Sequence, residues 1–250
     1  MVSGEMRLAE KRSLRDSVIV VTGASSGIGL ATTRQLVSMG SKVVAAARRA
    51  DRLESLVSEL GEDRVAAYPY DVNAQEQAQG LIDRAIAVFG RCDSLVACAG
   101  FGAYGGILDH TDEFLESMIL TNIGGTVWPV RAAVRHFLEE GGGDIVIVAS
   151  VAGLRGGGNE AVYASTKFAQ VGLAGALDRE LRTKGIRVSA ICPAGVKTEF
   201  AIGYGRSAGD PGLDDLLQPE DVADAIVTVL EQPRRMRTTL WTMWSMAEQS

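Results

Sequence analysis

The sequence predicts an α/β fold, a doubly wound parallel sheet (Rossmann-like) of about seven strands with helices on both faces. Two patterns lead there. Short β-branched runs, apolar throughout as strands covered on both faces must be, alternate with longer helical stretches almost from end to end. A cluster of glycines also falls between the first such run and the first helix.

Taken in order, Val18 to Val21 reads as the first strand, and the turn after it opens a helix over about 27–39. Val43 to Ala46 is the second strand, with a helix over 50–60; Val65 to Tyr70 is the third, with a helix over 73–89. Leu95 to Ala97 precedes a long helix over 111–139, whose start is marked by Thr111-Asp112-Glu113. Ile145 to Val148 leads to a helix over 161–184, and Val188 to Ile191 is the sixth strand. A last helix opens at Pro219-Glu220-Asp221, with proline in the first turn and acids at the positive end of the dipole, and runs to about Glu231. A final edge strand is expected near 237–243.

The first fifteen residues, 1–15, read as a loose arm before a single domain over 16–250. The glycine-rich stretch 200–218 is expected to be a substrate loop, with a plain surface excursion as the other reading.

Composition excludes several classes. With 25 basic against 31 acidic side chains, a formal charge of −6 and no basic block, neither nucleic acid nor an anionic membrane is expected as partner. Three cysteines give no disulfide framework and favour a reducing compartment. No signal-peptide core or membrane-length apolar run is present, so a cytoplasmic location is expected. Cys98 and Cys192 read as buried thiols; with only His110 and His136 beside them, no metal site is expected. Both histidines read as structural or solvated.

The first strand leads into Thr22-Gly23-Ala24-Ser25-Ser26-Gly27-Ile28-Gly29. Glycines there let the chain turn sharply and let a pyrophosphate approach the helix N-terminus, whose free N–H groups favour anions. At the end of the second strand, where many NAD sites carry an acid for the ribose 2′-hydroxyl, stand Ala47, Arg48 and Arg49. No acid repels a 2′-phosphate and a guanidinium can chelate one, so NADP(H) is favoured over NAD(H). Tyr163 and Lys167, four residues apart, share one helix face, and Ser150 closes the fifth strand thirteen residues before the tyrosine. An ammonium near a phenol, whose ordinary pKa is about 10, favours the phenolate.

These motifs, TGASSGIG, YASTK and the strand-end serine, make the chain resemble the short-chain dehydrogenase/reductase family in its single-domain branch, from about Ser17 to 231. The resemblance implies a catalytic tetrad of Asn122, Ser150, Tyr163 and Lys167. Tyr163 would exchange a proton with the carbonyl or hydroxyl oxygen, Ser150 would hold that oxygen, and Lys167 would contact the nicotinamide ribose. Asn122 would act through its backbone carbonyl, ordering a water that links Lys167 to solvent. Asp71 and Val72 fall where the family contacts adenine; Ala99, Gly100, Pro193, Val196 and Thr198 fall on further cofactor positions. The family's Asn-Asn-Ala-Gly reads Ala97-Cys98-Ala99-Gly100 here, so the hydrogen bonds that brace the sheet must come from elsewhere; Ala194 is a second departure.

The resemblance thus implies an NADP(H)-dependent oxidoreductase of small ketones or secondary alcohols, working as a homodimer or homotetramer. Alternatives are an NAD(H)-preferring member, a non-catalytic redox sensor, and a sugar-nucleotide epimerase, for which too few residues follow Thr198. Candidate pocket walls are Phe101, Tyr104, Ala152 to Arg155 and the 200–218 loop. The aromatic tail, Leu240 to Met246, is expected to rest partly on a neighbouring subunit.

Overall fold

Every residue of β1 (Val18–Thr22) is buried, and its alternate side chains enter two separate cores. Val18 and Val20 join one cluster, Ile19 and Val21 the other, as the two-residue period of a strand requires. The computed structural model describes residues 10–249. Its remaining strands are β2 (Lys42–Ala47), β3 (Val65–Pro69), β4 (Ser94–Ala97), β5 (Gly143–Val148), β6 (Ile186–Pro193) and β7 (Leu240–Met243). They form a seven-stranded parallel sheet in the order β3-β2-β1-β4-β5-β6-β7. The order reverses between β1 and β4, which opens a crevice at the carboxyl ends of those strands.

One face carries α3 (Ala78–Phe89), α5 (Gly125–Glu139) and α6 (Ala161–Leu181) over the first core. The other carries α1 (Gly27–Ser38), α2 (Ala50–Leu60) and α7 (Pro219–Leu230). α7 starts with Pro219 in its first turn and a capping box between Gln218 and Asp221.

Two expectations differ from the structure. The helix expected over 111–139 is divided: α4 (Asp112–Ile119) passes into a π-helical turn at Leu120–Gly124 before α5 begins. Gly124 and Gly125 loosen the ladder at this point, and Pro129 cannot supply the N–H that the Gly125 carbonyl would receive. The arm expected over 1–15 lies in its first nine residues outside the described ones, and residues 10–15 are held down. The backbone N–H of Arg12 donates to the Glu231 carbonyl (2.7 Å), its guanidinium reaches Asp144 (2.7 Å), and Leu14 is buried. Asp144, at the start of β5, also receives Arg187 (2.5 Å) and Arg234 (2.8 Å).

The tail folds back on its own chain. β7 pairs with β6 from Ala190↔Leu240 to Pro193↔Met243, and Trp241 and Met243 pack on the core. Beyond them the Arg155 guanidinium lies 4.8 Å over the Trp244 ring, and the Gly195 N–H donates to Glu248 Oε1 (3.0 Å). Among the described residues no helix is long and apolar enough to cross a membrane. No group of three or more His, Cys, Asp and Glu side chains converges among them as a metal site would need.

Candidate active site

A cleft of about 810 Å³ runs along the carboxyl ends of the strands, within the range of small-molecule and cofactor sites. Its floor at one end is the turn from β1 to α1. Gly23 (φ +71°) and Gly27 (φ +51°) take backbone conformations that L side chains rarely adopt. A Cβ on Gly29 would come within 2.4 Å of the Gly23 carbonyl oxygen, so the turn closes only without one. Ser26, the N-cap of α1, makes no side-chain cap bond, which leaves the first-turn N–H groups free to meet an anion.

Ala47 ends β2, and Arg48 beyond it is exposed. Arg49 folds back over the glycine turn, donating to Ser25 Oγ (2.9 and 3.1 Å) and Ser26 Oγ (2.7 Å). Its remaining terminal nitrogen pairs with Glu199 (2.9 Å), which also receives Arg52 (2.8 Å). Hydrogen bonds from these two arginines hold the Glu199 carboxyl below the usual range. Asp71, Val72, Ala99, Gly100, Pro193, Val196 and Thr198 border the same cleft, as do Ser25 to Gly29. The bracing that the Ala97-Cys98 departure puts in question comes from Thr22, whose Oγ1 accepts from the backbone N–H of Cys98 (3.1 Å) and Ala99 (3.3 Å).

At the other end, Ser150 follows β5, its hydroxyl donating to the Pro193 carbonyl (3.3 Å) and accepting from Ala152 N–H (3.1 Å). Tyr163 and Lys167 project from α6 into the cleft, with Lys167 Nζ 5.6 Å from the tyrosine ring centre. Burial pushes the Tyr163 phenol up, while the Ser150 hydroxyl and the Arg206 cation pull it down. Burial also lowers Lys167 to about 8, against the opposing pull of Cys98 and Cys192. Lys167 donates to the Val148 carbonyl (3.2 Å) and to Gln170 Oε1 (2.8 Å).

Asn122, in the π-helical turn, is fully buried and does not border the cleft. Its side chain clasps Phe101, accepting from the N–H (3.0 Å) and donating to the carbonyl (2.8 Å). Its own carbonyl accepts from Thr126 Oγ1 (2.8 Å) and Gln170 Nε2 (3.0 Å). Two side-chain donors thus occupy the acceptor that the resemblance assigned to a water.

The substrate side of the cleft is aromatic. Phe200 packs 5.1 Å from Tyr163 and 6.3 Å from Tyr104, and the Arg206 guanidinium lies 5.4 Å over Phe200. A Cβ on Gly102 would press within 2.6 Å of both Phe200 and Tyr163. Phe200 to Ile202, Tyr204 and Arg206, the first part of the 200–218 loop, line the cleft beside Arg155, Glu160 and Trp244. His110 stacks on Phe114 (4.9 Å) behind this wall, and His136 lies against the Cys92 carbonyl (3.2 Å).

Sequence reasoning missed Gln170, Thr126 and Glu199, and reached Arg206 only as part of the 200–218 loop. Only Gln170 left a local trace, a polar amide three residues past Lys167 on the same helix face. Glu199 meets Arg49 across 150 residues of chain, a separation that no spacing rule spans.

The model of short chain dehydrogenases matches residues 17–207. The chain belongs to this family. An uncharacterized oxidoreductase of Staphylococcus haemolyticus (strain JCSC1435) is 36% identical over 220 residues, covering 88% of this chain and 93% of that one. Among solved structures, the alcohol dehydrogenase of the archaeon Thermococcus sibiricus, complexed with 5-hydroxy-NADP, superposes with a TM-score of 0.84 at 26% identity. It covers 94% of this chain and 99% of its own. The 3-ketoacyl-(acyl-carrier-protein) reductase of Brucella melitensis, complexed with NADH, gives 0.84 at 27% identity, over 93% of this chain and 98% of its own. This short-chain dehydrogenase is therefore an oxidoreductase on a nucleotide-binding fold.

Proposed function

We propose that this short-chain dehydrogenase is NADP(H)-dependent and interconverts a carbonyl compound and a secondary alcohol, with Tyr163 as general acid/base. One observation carries the reading. Ser150, Tyr163 and Lys167 border the same cleft as the glycine turn, while β2 is followed by two arginines and no carboxylate stands at its end. The turn fits a dinucleotide, because Gly29 leaves no room for a Cβ and the α1 N-terminus offers uncapped N–H groups.

When bound, the nicotinamide supplies or accepts the hydride. The chain does the rest. Gly23 to Gly29 and the N-terminus of α1 would hold the pyrophosphate, and Arg48 and Arg49 would take the 2′-phosphate. Ser150 donates a hydrogen bond to the substrate oxygen, and Tyr163 exchanges a proton with that same oxygen. Lys167 spends two N–H bonds on Val148 and Gln170 and keeps the third for the cleft. The Phe200, Tyr104 and Tyr204 wall suits an apolar ketone of modest size.

Ile119, Leu120 and Phe168 stay exposed around α4 and α6, an apolar surface that supports pairing into a homodimer or homotetramer. The three free cysteines suit a cytoplasmic setting.

A second reading, NAD(H) preference, has one observation in its favour: Glu199 already occupies Arg49, and a 2′-phosphate must compete with it. Consumption of NADPH and NADH, side by side over a panel of ketones and aldehydes, separates the two. Turnover is expected to favour NADPH and to fall about 100-fold or more in Tyr163→Phe. Faster turnover with NADH would overturn the cofactor assignment, and unchanged turnover in the variant would overturn the acid/base assignment.

A further inference from the structure

Gln170 sits one turn beyond Lys167 on α6, 1% exposed, with both ends of its amide engaged. Its Oε1 accepts from Lys167 Nζ (2.8 Å); its Nε2 donates to the Asn122 carbonyl (3.0 Å) and to Thr126 Oγ1 (2.7 Å). The orientation is forced. A backbone carbonyl only accepts and an ammonium only donates, so the amide nitrogen must face Asn122 and the oxygen must face Lys167. Thr126 closes the arrangement by donating to the same carbonyl (2.8 Å). Asn122, Thr126, Gln170 and Lys167 are all buried. A satisfied buried network of this kind fixes its members, because loss of either partner leaves a desolvated polar group behind.

We propose that Gln170 is a positioning residue for the reaction: its amide ties Lys167 directly to the Asn122 carbonyl, a dry link where the family resemblance implied a water. The inference rests on the reading of Tyr163 as the acid/base. An amide does not hand protons on as a water does, so the link orients the ammonium without opening it to solvent on that side. Its oxygen favours the charged form of Lys167, and that charge favours the Tyr163 phenolate needed to take a proton from an alcohol. The other groups facing Lys167 are Cys98 after β4, Cys192 on β6 and Tyr163 on its own helix; no carboxylate figures among its perturbing charges.

Two variants separate orientation from packing. Gln170→Met keeps the volume, removes all three hydrogen bonds and shuts out water. Gln170→Ala removes the same bonds but opens a polar space in which a water can rejoin Lys167 to Asn122. The measurement is the pH dependence of kcat for alcohol oxidation, with thermal unfolding as the check on folding. In Gln170→Met, kcat is expected to fall about tenfold and the acid limb to move about one unit upward. Gln170→Ala is expected to lose less and to keep its limb near that of the unaltered enzyme. A purely structural glutamine gives the reverse order, since the cavity makes alanine the worse replacement. That reversed order, or an unmoved limb in Gln170→Met, would overturn the proposal. A further readout needs no variant to fold: in the unaltered chain the side-chain amide NMR signal of Gln170 is expected to titrate along the activity limb. A signal constant across that limb overturns the link. Tyr163→Phe, run alongside, tells the two failures apart, because persistent turnover there defeats the acid/base reading itself.

Discussion

Arg49 and Glu199 meet at 2.9 Å across the mouth of the cleft, joining the chain after β2 to the chain after β6. Under the proposed NADP(H) dependence, the glutamate would compete with the 2′-phosphate for the same guanidinium. Both side chains are well exposed, so the pair is weak and easily exchanged. Arg49→Ala is expected to weaken NADPH binding about tenfold or more, the loss of a charge-assisted hydrogen bond, and to leave NADH nearly unaffected. Glu199→Gln is expected to tighten NADPH by about two- to fivefold, as release of an exposed ion pair implies. Fluorescence titration with both cofactors checks each value; equal weakening of NADH and NADPH in Arg49→Ala would refute the assignment.

Lys167 is a cost to the fold. Burial lowers its pKa to about 8 from an ordinary value near 10.5, so the unfolded chain binds more protons between those values. The stability of the unaltered protein should therefore rise with pH across that window, and the charged form should destabilise the fold below it. Lys167→Met is expected to flatten that rise and to abolish turnover. Calorimetry from pH 7 to 10 tests the sign; a Tm that falls across that window in the unaltered protein, or an equal rise in the variant, would contradict it.

Gly29 has a Cβ position only 2.4 Å from the Gly23 carbonyl oxygen, a rigid backbone atom. Gly29→Ala must therefore displace the turn, at a cost of about 1–3 kcal/mol. Cofactor binding is expected to be lost before the fold is, so dinucleotide titration at a temperature well below Tm is the informative assay.

Asp144 receives three arginines, and of these Arg187 is buried with the aspartate. Asp144→Asn keeps the shape and leaves that guanidinium uncompensated, which is expected to cost about 3 kcal/mol. The hub lies at the amino end of β5, away from the cleft, so kcat should hold while the urea midpoint falls.

The sheet was legible because most strands carry an apolar run, whereas its order, which reverses between β1 and β4, comes from the pairing of the strands. β6 begins two residues earlier than its apolar run suggests. Its Arg187 is polar in sequence, yet buried in structure through Asp144. The break between α4 and α5 was hidden for a similar reason: apolar periodicity continues through it, and only hydrogen bonding reveals the wider turn. Of the candidate site residues, those on motifs border the cleft, while Asn122 lies behind it. Glu199 and Arg206 depend on how the loop after β6 folds back, which local sequence does not encode.

The tail has a practical side. Glu248 rests on Gly195 and Trp244 lies beneath Arg155, so the chain near Gln249 leaves the molecule beside the cleft. Arg12, in contrast, is fastened to Asp144 and Glu231 at the amino end of β5, away from the cleft. An affinity handle or fluorescent fusion placed behind Gln249 would crowd incoming substrate, whereas one ahead of Arg12 would stand clear of it.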